Sequence, residues 1–157
     1  MNKSQKIVAV IGPGDGATPK NIADAYCVGS LLANAGVTII NGGGNGVMAA
    51  VSQGASENGG ISIGLLPGLD SAKANPYLTI AIPTGLGEIR NALIVRAADA
   101  VICIGGSWGT LSEIGFSVRT EVPLIILNGW DLPDGAYTLV ASAEQAVTQA
   151  LRHCSGQ

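Results

Sequence analysis

The run Ala100-Val101-Ile102-Cys103-Ile104-Gly105-Gly106-Ser107-Trp108-Gly109-Thr110-Leu111-Ser112-Glu113 decides the fold. Five apolar residues with no polar interruption suit a strand covered on both faces. Glycines then permit a tight reversal, and Thr110 with Glu113 three residues later reads as a capping box that opens a helix. The same order of strand, glycine turn and helix recurs upstream. Ile7–Ile11 runs into Gly12-Pro13-Gly14-Asp15-Gly16, and Val37–Ile40 runs into Asn41-Gly42-Gly43-Gly44-Asn45-Gly46.

Extending this pattern, the sequence predicts strands at Lys6–Ile11, Val37–Ile40, Ile61–Leu66, Leu78–Ile82, Ala100–Ile104 and Pro123–Leu127. Helices are expected over about 18–35, 46–58, 86–98, 109–121 and 139–153. Such βα alternation with short connections specifies an α/β fold: three layers, doubly wound and Rossmann-like, with a mostly parallel sheet and helices on both faces. No linker or internal repeat interrupts it, so one domain over 1–157 is expected. The longest connection runs from Pro67 to Pro76.

Composition narrows the function classes. There are 23 glycines among 157 residues, roughly twice the usual share, yet without the three-residue period of collagen. Aromatics are only 4% against 47% hydrophobic residues, so the core must be aliphatic. Charged residues are 12% and the net charge is −3, which leaves no basic stripe for nucleic acid. No apolar stretch reaches the length of a membrane helix, and the run after Met1–Lys6 is too short for a signal-peptide core. Cys27, Cys103 and Cys154 are odd in number and far apart, with no C-x-x-C motif and no metal-ligand set, which predicts reduced thiols in a cytoplasmic protein. Sparse charge implies a partly apolar surface buried against further copies of the chain, as a dimer or dimer of dimers.

The glycine clusters carry the functional expectation. At strand C-terminal ends they face the ligand crevice of an open α/β sheet, and the helix that follows presents free N–H groups to an anion. Three such turns together predict a rim for a phosphorylated small molecule, formed by Gly12, Gly14, Gly42, Gly43, Gly44, Gly46, Gly106, Ser107, Gly109 and Thr110. Other chemistries fit less well. Gly12-x-Gly14-x-x-Ala17 matches a loose dinucleotide fingerprint, but Asn41 stands where a ribose-binding acid belongs. No Gly-Lys pair exists, so a Walker A loop is excluded. Gly105-Gly106-Ser107-Trp108-Gly109 has the form of a nucleophile elbow, with Asp131 or Asp134 and His153 in permissive order. His153, however, is the only histidine and lies four residues from the chain end. Arg90, opening the helix after strand four, and Glu113 both project towards the crevice. Each has a plain structural role as well, Glu113 as a cap and Arg90 as a partner of Glu88 or Glu113.

These residues resemble the Lonely Guy proteins and their lysine-decarboxylase-like relatives, together with the molybdenum-cofactor carrier proteins. The pattern P-G-G-x-G-T-x-x-E falls on Gly105 to Glu113, with Gly106, Gly109, Thr110 and Glu113 matching. The pattern G-G-G-x-x-G-x-M falls on Asn41 to Met48, with Gly42, Gly43, Gly46 and Met48 matching. The catalytic arginine of that family corresponds to Arg90, nine residues before Asp99-Ala100. The resemblance spans Ile7 to about Leu151. Ala74-Asn75-Pro76-Tyr77 and Thr84 to Asn91 are typical of the carrier-like branch. In the cytokinin-activating enzymes a Met-His segment precedes the arginine and lysine follows it; here Gly87-Glu88-Ile89 precedes and Asn91 follows.

The resemblance implies a carrier-like protein binding a nucleotide or a phosphorylated pterin such as molybdopterin, with Met48, Arg90 and Asn91 added to the rim. No cofactor is required for folding or catalysis on this reading. The alternative it implies is hydrolysis of the N-glycosidic bond of a nucleoside 5′-monophosphate, with Arg90 fixing phosphate or ribose and an ionised Glu113 stabilising the ribosyl cation. A purely structural oligomeric module is the remaining alternative.

Overall fold

The apolar runs form seven strands of one sheet: β1 (Ile7–Ile11), β2 (Thr38–Asn41), β3 (Ser62–Leu66), β4 (Ile80–Pro83), β5 (Ala100–Ile104), β6 (Leu124–Leu127) and β7 (Tyr137–Val140). The computed structural model describes residues 5–133 and 135–156. The strand order is β4-β3-β2-β1-β5-β6-β7, and every pairing is parallel. Val8 in β1 lies opposite Ile39 on one side and Ala100 on the other. Chain connections run outward in opposite directions from β1 and β5, which opens a crevice between their C-terminal ends.

The helices are α1 (Pro19–Asn34), α2 (Val47–Glu57), α3 (Arg90–Arg96), α4 (Trp108–Arg119) and α5 (Ala143–Cys154), with a 3-10 turn at Gly87–Ile89 before α3. Side chains alternate across the sheet. Val8, Val10, Ile39, Ile102 and Ile104 pack with residues of α1, α2 and α5, including Val28, Leu32, Val51 and Val147. Ala9, Ile11, Ile40, Val101 and Cys103 pack with Ile94 and Val95 of α3 and Ile114 of α4. Each fully buried Val, Leu or Ile contributes about 1.5–3 kcal/mol, so an almost wholly aliphatic core suffices. On the first face α1 and α2 touch backbone to backbone. A Cβ on Gly29 would lie 2.1 Å from the Val51 carbonyl oxygen, and one on Gly54 the same distance from that of Tyr26.

The expected three-layer, doubly wound architecture is present, with two local differences. Tyr137–Val140 pairs with β6 as β7, where the sequence reading began the last helix at 139. That helix starts after Ser142, whose hydroxyl accepts from the Gln145 amide, while the Gln145 side chain accepts from the Ala141 amide. The helix expected over 86–98 is shortened because Gly85 and Gly87 take φ of 66° and 57°, a region closed to regular helix. No helix among the described residues is long and apolar enough to cross a membrane.

Candidate functional site

Two asparagines shape the loop after β2. Asn41 is fully buried; its Oδ1 accepts from the Gly43 amide at 2.7 Å and its Nδ2 donates to Ser52 Oγ at 3.0 Å. Asn75, from the 67–76 connection, donates its backbone N–H to the Gly43 carbonyl at 2.9 Å and its side-chain amide to that of Gly44 at 3.1 Å. Gly46 has φ 61°, and a Cβ there would fall 2.1 Å from the Gly14 carbonyl oxygen. Beside it, the Val47 amide donates to the Pro13 carbonyl at 3.0 Å. The loops after β1 and β2 are therefore locked together. Met48 lies over them, its thioether within 2.9 Å of a Cβ position on Gly42 and its methyl within 3.6 Å of one on Gly14. Gly12 is explained by packing, since a Cβ there would meet the Ile104 carbonyl oxygen at 2.4 Å and Val47 at 2.8 Å.

Arg90 is buried and held from two sides. Its Nε donates to the Leu65 carbonyl at 2.7 Å and its Nη1 to Asn91 Oδ1. Nη2 has no hydrogen-bond partner among the described residues and lies beside Gly42, 3.1 Å from where a Cβ on that residue would sit. Asn91 in turn donates to Ser112 Oγ at 3.0 Å, which ties the start of α3 to the first turns of α4. The Glu88 carboxylate lies 3.9 Å from Nη1 but is 82% exposed, a pairing of little energetic weight.

Glu113 is not a cap. Ser107 caps α4, its Oγ accepting from the Thr110 amide at 3.2 Å and sharing a 2.8 Å hydrogen bond with Thr110 Oγ1. The helix thus begins three residues earlier than the Thr110-x-x-Glu113 box requires, and Glu113 falls in its second turn. Only 8% of Glu113 is exposed, and no hydrogen bond reaches its carboxylate among the described residues. Since no fully buried side-chain oxygen there lacks a partner, its oxygens still reach solvent. Burial pushes its pKa up to about 8, with the Arg90 charge pulling the other way. Desolvation wins, so the carboxyl is mostly protonated at neutral pH. Beneath it, burial and the Glu113 charge push the Cys103 thiol up to about 12.

The three helix mouths are not equivalent. At α1, Thr18 and Asn21 form a capping box and Pro19 has no N–H, so the terminus of that helix has few donors left. At α2, the Val47 amide is taken by Pro13. At α4, the Trp108 and Gly109 amides remain free of intrahelical partners, and Gly109 is open to space. The three helix mouths that the sequence groups as one rim thus differ in how many of their first amides are already taken.

A cavity of about 380 Å³ lies between Arg90, the β2 loop and the 67–76 connection, lined by Gly42, Gly44, Leu66 to Asp70, Lys73 and Arg90. Lys73 and Asp70 were missed by sequence reasoning, as were the scaffolding roles of Asn41 and Asn75. The available signal was the length of the 67–76 connection and its concentration of charge in a charge-poor chain. The serine-hydrolase arrangement is overturned. Ser107 is engaged in capping at the C-terminal ends of the strands, whereas His153 lines a separate cavity with Val122, Pro123 and Leu124 at the start of β6, the opposite end of the sheet. Asp134 lies outside the described residues.

A model of the SLOG cluster4 family matches residues 5–154. The chain belongs to that family. The structure of a molybdenum cofactor binding protein from the phototrophic bacterium Rippkaea orientalis superposes with a TM-score of 0.89 at 35% identity, covering 94% of this chain and 96% of that one. The molybdenum cofactor carrier protein of Chlamydomonas reinhardtii superposes with a TM-score of 0.88 at 26% identity, covering 98% and 99%. A cytokinin riboside 5′-monophosphate phosphoribohydrolase of Arabidopsis thaliana is 28% identical over 116 residues, 72% of this chain but only 54% of that enzyme. The expected likeness to Lonely Guy and molybdenum-cofactor carrier proteins is thereby found, and this SLOG-family chain shares its whole fold with the carriers.

Proposed function

We propose that this protein binds a phosphorylated small molecule, a nucleotide or a phosphorylated cofactor such as molybdopterin, at its glycine-rich strand ends, and holds it as a carrier. The observation that carries this reading is Arg90: a buried guanidinium, fixed by Leu65 and Asn91, with one amino group unpartnered against Gly42. Such a preset cation matches a phosphate oxygen. The free amides at the α4 mouth would take further oxygens, and Lys73 would add a second positive charge at the cavity edge. A volume of about 380 Å³ fits a small-molecule ligand. Full-length similarity to two molybdenum-cofactor proteins supports the pterin form of the ligand. A protonated Glu113 suits this role, because a neutral carboxyl can donate to a carbonyl or ring nitrogen of the ligand.

A second reading, nucleoside 5′-monophosphate phosphoribohydrolase, is favoured by Glu113 being free of its own helix terminus and within electrostatic reach of Arg90. Stabilising a ribosyl cation would need the ionised form, which prevails only above about pH 8. The deciding experiment incubates the wild type and Glu113→Gln with a panel of nucleoside monophosphates and measures free base. The carrier reading expects thermal stabilisation by nucleotides or phosphorylated pterins without base release. Base release abolished by Glu113→Gln overturns it.

The same reading includes a homo-oligomer in a reducing, cytoplasmic setting. Ile80 and Ile82 of edge strand β4 and Ile89 and Leu93 near α3 are 43–72% exposed. The β4 pair share the α3/α4 side of the sheet, since they lie in register with Ile63 and Leu65. A second copy would cover this face.

A further inference from the structure

We propose that Trp108, braced by Trp130, is the stacking surface for a planar heterocyclic ring of the bound ligand. The inference rests on the reading that an anionic group of that ligand sits between Arg90 and the α4 mouth, and it assigns the part of the site that reads the ring.

Trp108 is the first residue of α4 and is 81% exposed. It belongs to a chain that holds only two tryptophans, and the two meet at this place. Their ring centroids lie 5.2 Å apart at an interplanar angle of 77°. An edge-to-face contact of this kind fixes ring orientation while leaving most of Trp108 uncovered. Trp130 is seated directly on the turn after β5: a Cβ on Gly106 would fall 2.6 Å from its ring. Glycine at 106 is thus what admits the brace. Side chains on a helix tilt towards its N-terminus, so a tryptophan at the first position overhangs the mouth rather than the helix flank.

Two polar groups near α4 have no hydrogen-bond partner among the described residues, the Glu113 carboxylate and one amino group of Arg90. Glu113, one turn further along α4, is more than nine-tenths buried and accepts no hydrogen bond among the described residues. Trp108 and Ser112 are four residues apart and share one side of α4; Ser112 is bonded to Asn91, whose neighbour Arg90 offers its free amino group. Through Ser112 and Asn91 the side of α4 that carries Trp108 is thus linked to Arg90. An exposed indole beside an anion cradle suits a purine- or pterin-like ring, since stacking requires only a π-face. A phosphorylated sugar without a ring would use the cradle and leave the indole untouched.

The test compares GMP, which has the ring, with ribose 5-phosphate, which lacks it, by calorimetric titration of the full chain. Wild type is set beside Trp108→Phe and Trp108→Ala; the side chain is exposed, so neither variant disturbs the core. The expected result is tighter binding of GMP than of ribose 5-phosphate, weakened about tenfold by Trp108→Ala and largely kept by Trp108→Phe, with ribose 5-phosphate unaffected by either. Because both tryptophans lie at the site, GMP should also quench the intrinsic fluorescence of the wild type more than ribose 5-phosphate does. If both ligands bind but Trp108→Ala leaves GMP affinity unchanged, or weakens both ligands equally, stacking is wrong while the anion site stands. A change in oligomeric mass in Trp108→Ala with GMP affinity intact would make the indole an interface residue and likewise overturn the proposal. Binding of neither ligand to the wild type removes the underlying reading and the stacking with it.

Discussion

Glu113 combines burial, nearness to Arg90 and the absence of a hydrogen bond, and its protonation couples to stability. In the unfolded chain it titrates near 4.5, in the folded protein near 8. Between those values the folded state holds the extra proton, so stability falls as pH rises from about 4.5 through 8. Glu113→Gln, which keeps shape and removes the charge, should flatten this slope. Thermal melts at pH 5 should nearly coincide for the two proteins, and at pH 9 the glutamine variant should melt higher, by an effect on the order of a few kcal/mol. A wild type that melts higher than Glu113→Gln at pH 9 would show that the carboxylate is stabilised when ionised. Arg90 yields the complementary expectation. Arg90→Lys keeps the charge but cannot make the Leu65 and Asn91 contacts together with a third, so affinity for inorganic phosphate or GMP should drop about tenfold or more, the scale of one charged hydrogen bond. Titration calorimetry would register this, and unchanged affinity would place the anion elsewhere. Arg90 and Glu113 stand out in the sequence as ionisable residues in a charge-poor chain. That Glu113 is neutral does not, because its pKa depends on what α3, α4 and β5 bury around it.

At the scale of elements, the three glycine turns that read alike in sequence do different work. The turn after β1 feeds a helix closed by its own Thr18–Asn21 box, so it serves packing against β5 and α2. The turn after β2 is a loop pinned by Asn41 and Asn75 whose helix gives its first amide to Pro13, and the turn after β5 leaves the Trp108 and Gly109 amides free of intrahelical partners at the mouth of α4. Gly46 is the tightest point. Alanine there would combine a disfavoured backbone angle with a clash against the Gly14 carbonyl, and urea denaturation should show a loss of about 2 kcal/mol or more. Asn41→Ala should instead spare much of the fold and loosen the loop, leaving the Gly43 amide unpaired at about 1–3 kcal/mol, with weaker ligand binding as the second readout. If Gly46→Ala melts like the wild type, the two loops are not in contact as described. Of these distinctions the sequence showed the glycines and the strand ends; it did not show which amides were already taken, because capping partners such as Ser107 in place of Thr110 depend on where a helix actually starts.

At the scale of the whole molecule, sparse charge and the uncovered α3/α4 side converge on self-association. Light scattering should report a multiple of the chain mass, and Ile89→Asp with Leu93→Asp, both at exposed positions, should lower it without changing the far-ultraviolet circular dichroism. A monomeric wild type at tens of micromolar would remove the oligomer. The sequence by itself determined the architecture: continuous aliphatic runs separated by helical segments have one economical solution, a parallel sheet with a helix layer on each face. It also placed the glycines at the strand ends, since local turn chemistry is written in local residues. Only the tertiary structure decided the site. It separated Ser107 from His153 across the length of the sheet, brought Lys73 and Asn75 from a distant connection to the β2 loop, and added β7 at the edge over Tyr137–Val140, the last two residues of which the sequence reading gave to the final helix. These features depend on contacts between segments far apart in the chain, and on burial, which shifts protonation and uses up donors in ways that no stretch of sequence carries alone.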